Sequence, residues 1–140
     1  MTNQKQLTKA EYETLESFRF ALRQFLRFSE AAAQSANLTP QQHQALLAIK
    51  GFPGRDIVNI HELADRLQLR HNSVVELIDR LEKEKLVKRE PDESDGRKVL
   101  IDLTTRGEQL LEKLSETHRE QLDRTGPQLT RLLKELTGEK

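Results

Sequence analysis

The chain contains no cysteine. That excludes disulfides, thiol redox sensing and cysteine-type zinc sites. Nowhere do eighteen apolar residues run together, so nothing is expected to span a membrane. The N-terminus, MTNQKQLTKAEYE, has no apolar core and does not read as a signal peptide, so a soluble cytoplasmic protein is expected. There is no surplus of either charge: 23 basic side chains stand against 23 acidic ones. The balance holds by region, with 5 against 4 over residues 1–37, 11 against 12 over 38–103 and 7 against 7 over 104–140. No basic tail or arm exists, so a nucleic-acid partner would have to be met by a local patch. A glycine-rich phosphate loop, a nucleophile elbow and a paired-carboxylate arrangement are also missing. HELAD, residues 61–65, begins like the zinc-protease HExxH, but Asp65 stands where the second histidine is needed. The four histidines, 43, 61, 71 and 118, share no metal spacing; His43 and His118 could meet in a fold, but ordinary packed or exposed histidines are expected. Neither a metal nor a cofactor is expected, and the chain does not read as an enzyme.

What is present is a set of helix starts. The length, 140 residues, suits one domain with a real core. Thr8-x-x-Glu11, Thr39-x-x-Gln42 and Asn59-x-x-Glu62 have capping-box spacing, and Pro40 sits at a first helical position. Helices are expected from about Lys9 to Gln34, Pro40 to Ile49 and Ile60 to Leu67. The first carries five of the six aromatics, with Leu15, Phe18, Leu22 and Phe25 on one face and Phe20 nearly opposite. A helix apolar on two sides needs two partners. The second can be another subunit or the middle of a monomer, and a dimer is favoured.

GFPGRD, residues 51–56, is a turn-rich break, and residues 58–60 make no more than a strand stub. After IHELADRL a further helix begins near His71, with Val74, Ile78 and Leu81 as its inward stripe. The period then changes to two. LVKRE, 86–90, and RKVLIDL, 97–103, flank PDESDG, which reads as a hairpin loop. Thr104 or Thr105 caps the next helix, expected to run to about residue 124, where Gly126-Pro127 breaks it. A last helix over 127–137 carries Leu129, Leu132, Leu133 and Leu136.

Helix, tight turn, helix and hairpin form the order of a winged helix–turn–helix, mainly α with a small β-hairpin wing. Such a second helix can lie in a major groove with its first residues at base edges, and the wing can reach the minor groove. The residues at that start are Arg70, His71, Asn72 and Ser73. Arginine pairs with guanine, asparagine with adenine, and serine with a phosphate or base. The same residues also suit an ordinary exposed helix start. A winged-helix protein–protein adaptor is the rival, favoured by the balanced charge; a steep salt dependence of DNA binding tells the two apart.

The run NIHELADRLQLRHNSVVELIDRLEKEKLVKREPDESDGRKVLIDLTTRGEQLLE resembles the DNA-binding core of the MarR family of bacterial transcription regulators. LTPQQHQALLAIKG upstream resembles that family's second helix. The most specific pieces are DRLEKEKLV and the wing, Asp95-x-Arg97 followed by VLIDLT. The resemblance implies a winged helix–turn–helix lobe over 38–103, flanked by N- and C-terminal dimerisation helices over 8–36 and 105–138. It implies a homodimer at the nucleoid, bound to a double-stranded, pseudo-palindromic operator as a repressor. By position, 71–84 is the recognition helix, Arg97 is the wing arginine for the minor groove and Asp95 the aspartate that orients it. Arg89 and Lys98 are further basic candidates. It also implies a small aromatic or anionic effector where the dimerisation helices meet the lobe, with His43, Arg19 and Arg23 as candidate lining residues. Four positions depart from the pattern. Arg70 replaces a capping Ser or Thr, Glu76 a basic or small polar residue, Lys85 a helix-ending glycine and Ser94 a second wing arginine. Glu76 can accept from a cytosine amino group or repel phosphate.

Overall fold

The computed structural model describes residues 6–139. In chain order the elements are α1 (Lys9–Ser35), α2 (Pro40–Lys50), β1 (Ile57–Asn59), α3 (Ile60–Leu67), α4 (His71–Lys83), β2 (Val87–Asp92), β3 (Asp95–Leu103) and α5 (Thr105–Thr137). The three strands form one antiparallel sheet in the order β1-β3-β2. The fold is the expected one, mainly helical with a small sheet. No helix among the described residues is long and apolar enough to cross a membrane.

All three expected capping boxes are made. Thr39 accepts from the Gln42 amide at 3.1 Å while the Gln42 side chain accepts from the Thr39 amide at 2.9 Å. Asn59 and Glu62 do the same at 2.8 and 3.0 Å, and Thr8 and Glu11 at 3.2 and 3.3 Å. Each box satisfies amides that a helix start otherwise leaves to water.

The helix ends share a device. α1, α3 and α4 stop at a residue in the left-handed region: Asn37 (φ 61°), Gln68 (φ 55°) and Lys85 (φ 64°). In each, that residue's amide bonds back three residues and the next amide bonds back five, as Lys85 to Glu82 at 2.9 Å and Leu86 to Leu81 at 2.9 Å. This is the Schellman arrangement, and the residue after each turn is a leucine: Leu38, Leu69 and Leu86. α2 ends at a glycine, Gly51, which does not use the left-handed region (φ −95°).

The chain has two compact units. One runs from Ala32 to Glu116 and holds the core: Leu46, Ile49, Val58, Leu63, Ile78, Leu81, Leu86 and Ile101 are fully or almost fully buried. The start of α5 is fixed tightly within it. The Thr104 hydroxyl donates to the Lys85 carbonyl at 2.7 Å and accepts from the Gly107 amide at 3.1 Å. A Cβ on Gly107 would lie 2.1 Å from the Leu86 carbonyl oxygen, so only glycine fits there.

The other unit joins α1 up to Ala31 with α5 from Thr117 onward. Here one expectation changes and another is made more specific. Gly126-Pro127 does not end a helix, because α5 continues through Pro127. A proline inside a helix loses one hydrogen bond, but the residue before it is a glycine, whose missing Cβ lessens the clash that disfavours helical geometry at that position. On α1, the face shared by Leu15, Phe18, Leu22 and Phe25 is only partly covered within the unit. Phe18, Phe25 and Phe28 are half-buried around a buried Ala21, while Leu15 and Leu22 are exposed. Phe25 and Phe28 meet the His118 ring edge-on at 5.9 and 5.5 Å, and His118 Nε2 lies 2.8 Å from the Ser29 hydroxyl. Phe20 points away and is 50% exposed.

Candidate nucleic-acid interface

The rotation of α4 is set by Val74, Leu77, Ile78 and Leu81, all buried. That stripe turns His71, Asn72, Ser73 and Glu76 outward, and all four are exposed. Arg70 occupies the cap position with extended backbone (φ −70°, ψ 149°) and makes no side-chain cap bond. Two flanks of α4 result. Ser73 and Glu76 line an open cavity of about 240 Å³ with Arg80 and, from α2, Gln41 and Gln42. His71 lies on the other flank. There it lines an open groove of about 320 Å³ with Asn59, Ile60 and His61 at the α3 start and Arg97, Lys98 and Val99 of the wing.

The wing is a hairpin with a shorter tip than expected. Strand pairing runs from Val87 opposite Leu103 to Pro91 opposite Val99, then jumps to Asp92 opposite Asp95. The tip is Glu93-Ser94 rather than all of PDESDG. The jump leaves Gly96, Arg97 and Lys98 as extra residues on β3. A bulge of this kind bends the strand and re-aims its side chains, here the two cations.

The acids of the wing have local work. The Asp92 carboxylate accepts from the Ser94 amide at 2.9 Å and hydroxyl at 2.7 Å, and these bonds hold its pKa below the ordinary carboxylate value. Asp95 accepts from the Arg97 backbone amide at 3.1 Å, which braces the loop and not, as expected, the guanidinium. Arg89 reaches back from β2 to α4, with one nitrogen 2.6 Å from Asp79 and another 2.6 Å from Glu82. Burial works against its charge, but the two carboxylates outweigh that and raise its pKa above the ordinary arginine value. Its expected place at the DNA therefore competes with two ion pairs. Glu62 caps α3 and pairs with Arg55, and Asp56 and Glu108 flank Lys50 at 3.4 and 3.3 Å. By contrast Arg70, Arg97 and Lys98 form no ion pair among the described residues. With a net charge of zero, the lobe thus holds several of its carboxylates on internal partners, while Arg70, Arg97 and Lys98 stay exposed beside others, such as Glu76 and Glu93, that form no ion pair among the described residues.

The candidates for an effector are separated by unit. His43 lies buried in the lobe, and Arg19 and Arg23 are exposed on α1 in the helical unit. An open cavity of about 670 Å³ in the lobe is lined by none of them, but by Arg106, Gln109, Leu110, Glu112 and Lys113 among others. His61 was passed over in the sequence as part of a failed metal motif; its place in the groove follows from the Asn59 cap, which puts it in the first turn of α3.

Comparison with known proteins adds to this geometry. A model of the MarR family matches residues 36–98. The fold is similar to that of AbsC, a MarR family transcriptional regulator from Streptomyces coelicolor (25% identity, 95% of this chain and 93% of that one, TM-score 0.73). It is similar to a mutant of MepR from S. aureus bound to an oligodeoxyribonucleotide (24% identity, 94% and 99%, TM-score 0.68). It is also similar to a mutant MarR from E. coli complexed with operator DNA (22% identity, 96% and 86%, TM-score 0.60). A search of curated proteins found no match.

Proposed function

From the premise that residues 36–98 belong to the MarR family and nearly the whole chain has its regulators' fold, we propose a DNA-binding transcription regulator. It acts as a cytoplasmic homodimer that represses from a pseudo-palindromic operator. The observation that carries this reading is the open groove where His71 of α4 meets Arg97 and Lys98 of the wing, beside carboxylates held by other partners. Arg70, His71, Asn72 and Ser73 enter the major groove and Arg97 the minor groove, whose concentrated negative potential favours a guanidinium. Glu76 and Arg80 read from the far flank of α4. Arg89 sets the angle between wing and helix through Asp79 and Glu82. The chemistry is recognition, with no catalytic step.

Selection of DNA from a random pool by the purified chain tests the reading. Inverted half-sites should emerge, and their binding should fall steeply with salt. No enrichment, or binding indifferent to salt, would return the chain to the adaptor reading. Support for the dimer comes from exposed apolar side chains in the helical unit: Tyr12, Leu15, Phe20, Leu22 and Leu26 on α1, and Leu122, Leu133 and Leu136 on α5. Light scattering should report twice the 16.2 kDa chain, about 32 kDa. A small aromatic or anionic effector completes the proposal. Aromatic acids should then shift the melting temperature and weaken DNA binding.

A further inference from the structure

The groove of about 320 Å³ between the α3 start, the α4 start and the wing has a lining with two chemistries. Its rim carries His61, His71, Arg97 and Lys98; its apolar part is Ile60 and Val99. Val99 is 43% exposed on a strand whose neighbours Ile101 and Leu103 are buried. In a duplex, the major and minor grooves are divided by one sugar–phosphate strand. If α4 enters the former and Arg97 the latter, that strand must pass between them, which is where this groove lies. Cations on the rim suit phosphates, and the two aliphatic side chains suit deoxyribose carbons.

We propose that this groove seats the sugar–phosphate strand between the two grooves of duplex DNA, and that His61 and His71 each take up a proton from solvent as phosphates arrive. This rests on the DNA-binding reading above and adds to it a proton coupling and a contact residue, His61. An imidazole beside a phosphate is favoured in its charged form, and imidazoles change charge near neutral pH. The other charged groups around the two histidines do not replace the phosphate. Arg97, Lys98 and Arg70 are cations. Glu62 is held by the Asn59 amide and Arg55, and Asp95 by the Arg97 amide. Asp65, one turn after His61, is exposed and forms no ion pair among the described residues, so solvent screens its pull on that ring.

The test measures binding to a selected operator by fluorescence anisotropy at pH 6 and pH 8, at fixed ionic strength, for the full chain and for His61→Gln, His71→Gln and the double variant. The wild-type chain should bind more tightly at pH 6, by roughly three- to tenfold for each proton taken up. The salt slope should be steeper at pH 6 by about 0.9 for each added phosphate contact. Each single variant should lose part of the pH effect, and the double variant all of it. A wild-type affinity independent of pH, or a pH effect that survives in a folded double variant, overturns the proposal and leaves the DNA-binding reading intact. Failure to bind duplex DNA at either pH overturns both. Thermal melts of each variant separate misfolding from lost contact.

Discussion

The two ends of α4 are built on opposite principles. At its C-terminal end the backbone and several side chains have internal partners: Lys85 and Leu86 close a Schellman turn, Thr104 bonds the Lys85 carbonyl, Gly107 abuts Leu86, and Arg89 spans Asp79 and Glu82. At its N-terminal end nothing is closed. Arg70 provides no cap, and the first turn presents His71, Asn72 and Ser73 to solvent. α3, immediately before it, begins with a full capping box, so the open start is particular to α4. One end holds the helix in the fold; the other is left for a partner whose anionic groups suit unclaimed amides and cationic side chains.

This division can be broken from the closed end first. Gly107→Ala pushes a methyl group into the Leu86 carbonyl and should cost about 3 kcal/mol, read as a lower urea midpoint with an unchanged slope. A loss below about 0.5 kcal/mol would mean the closed end is looser than its contacts indicate. At the open end, Arg97→Ala should weaken operator binding about tenfold and flatten the salt slope by roughly 0.9, with the melting temperature unchanged. A melting shift without an affinity change would make the wing arginine structural. Arg70→Asp sharpens the contrast by moving both properties in opposite directions. It supplies the missing cap, raising stability by about 1 kcal/mol, and places a negative charge at the DNA, weakening binding. If binding survives unchanged, that end of α4 does not meet the duplex. The smallest effect is expected from Lys85→Gly. Relief of a left-handed lysine, less the added freedom of the unfolded chain, should stabilise by about 0.5 kcal/mol and leave DNA affinity alone.

What could be read from the sequence divides along a similar line. The capping boxes at Thr8, Thr39 and Asn59 were legible because four consecutive residues contain both donors and both acceptors. The start of α4 at His71 and its inward stripe were legible from periodicity, and Arg70 as a poor cap from its side chain. Arg89 was not, because its partners lie seven and ten residues back on another element. The wing's short tip and the bulge at Gly96–Lys98 depend on how β3 pairs with β2, which turn-favouring residues alone do not specify. Pro127 misled because a proline disfavours a helix without forbidding it, and Gly126 before it lowers part of the steric cost. Leu15 and Leu22 share a face with Phe18 and Phe25 by spacing, but a helix with apolar residues on two sides does not disclose which side its own unit covers. His61 was discarded with the metal motif it failed to complete; only the approach of the wing to α3 gives it a role.

The three left-handed turns also bear on how quickly the chain finds its shape. Asn37, Gln68 and Lys85 each close their helix with bonds spanning three and five residues, and each is followed by the leucine that seals the turn. All the information for stopping these helices therefore sits within one short segment. Such segments rearrange on the helix–coil timescale, about 0.1–1 μs, well before distant parts of a chain of this length must meet. The corners before, within and after the helix–turn–helix can be in place while the sheet is still unpaired. The slower steps are then left to β1 and β2, which must find opposite edges of β3 across more than forty residues in one case and a short hairpin in the other.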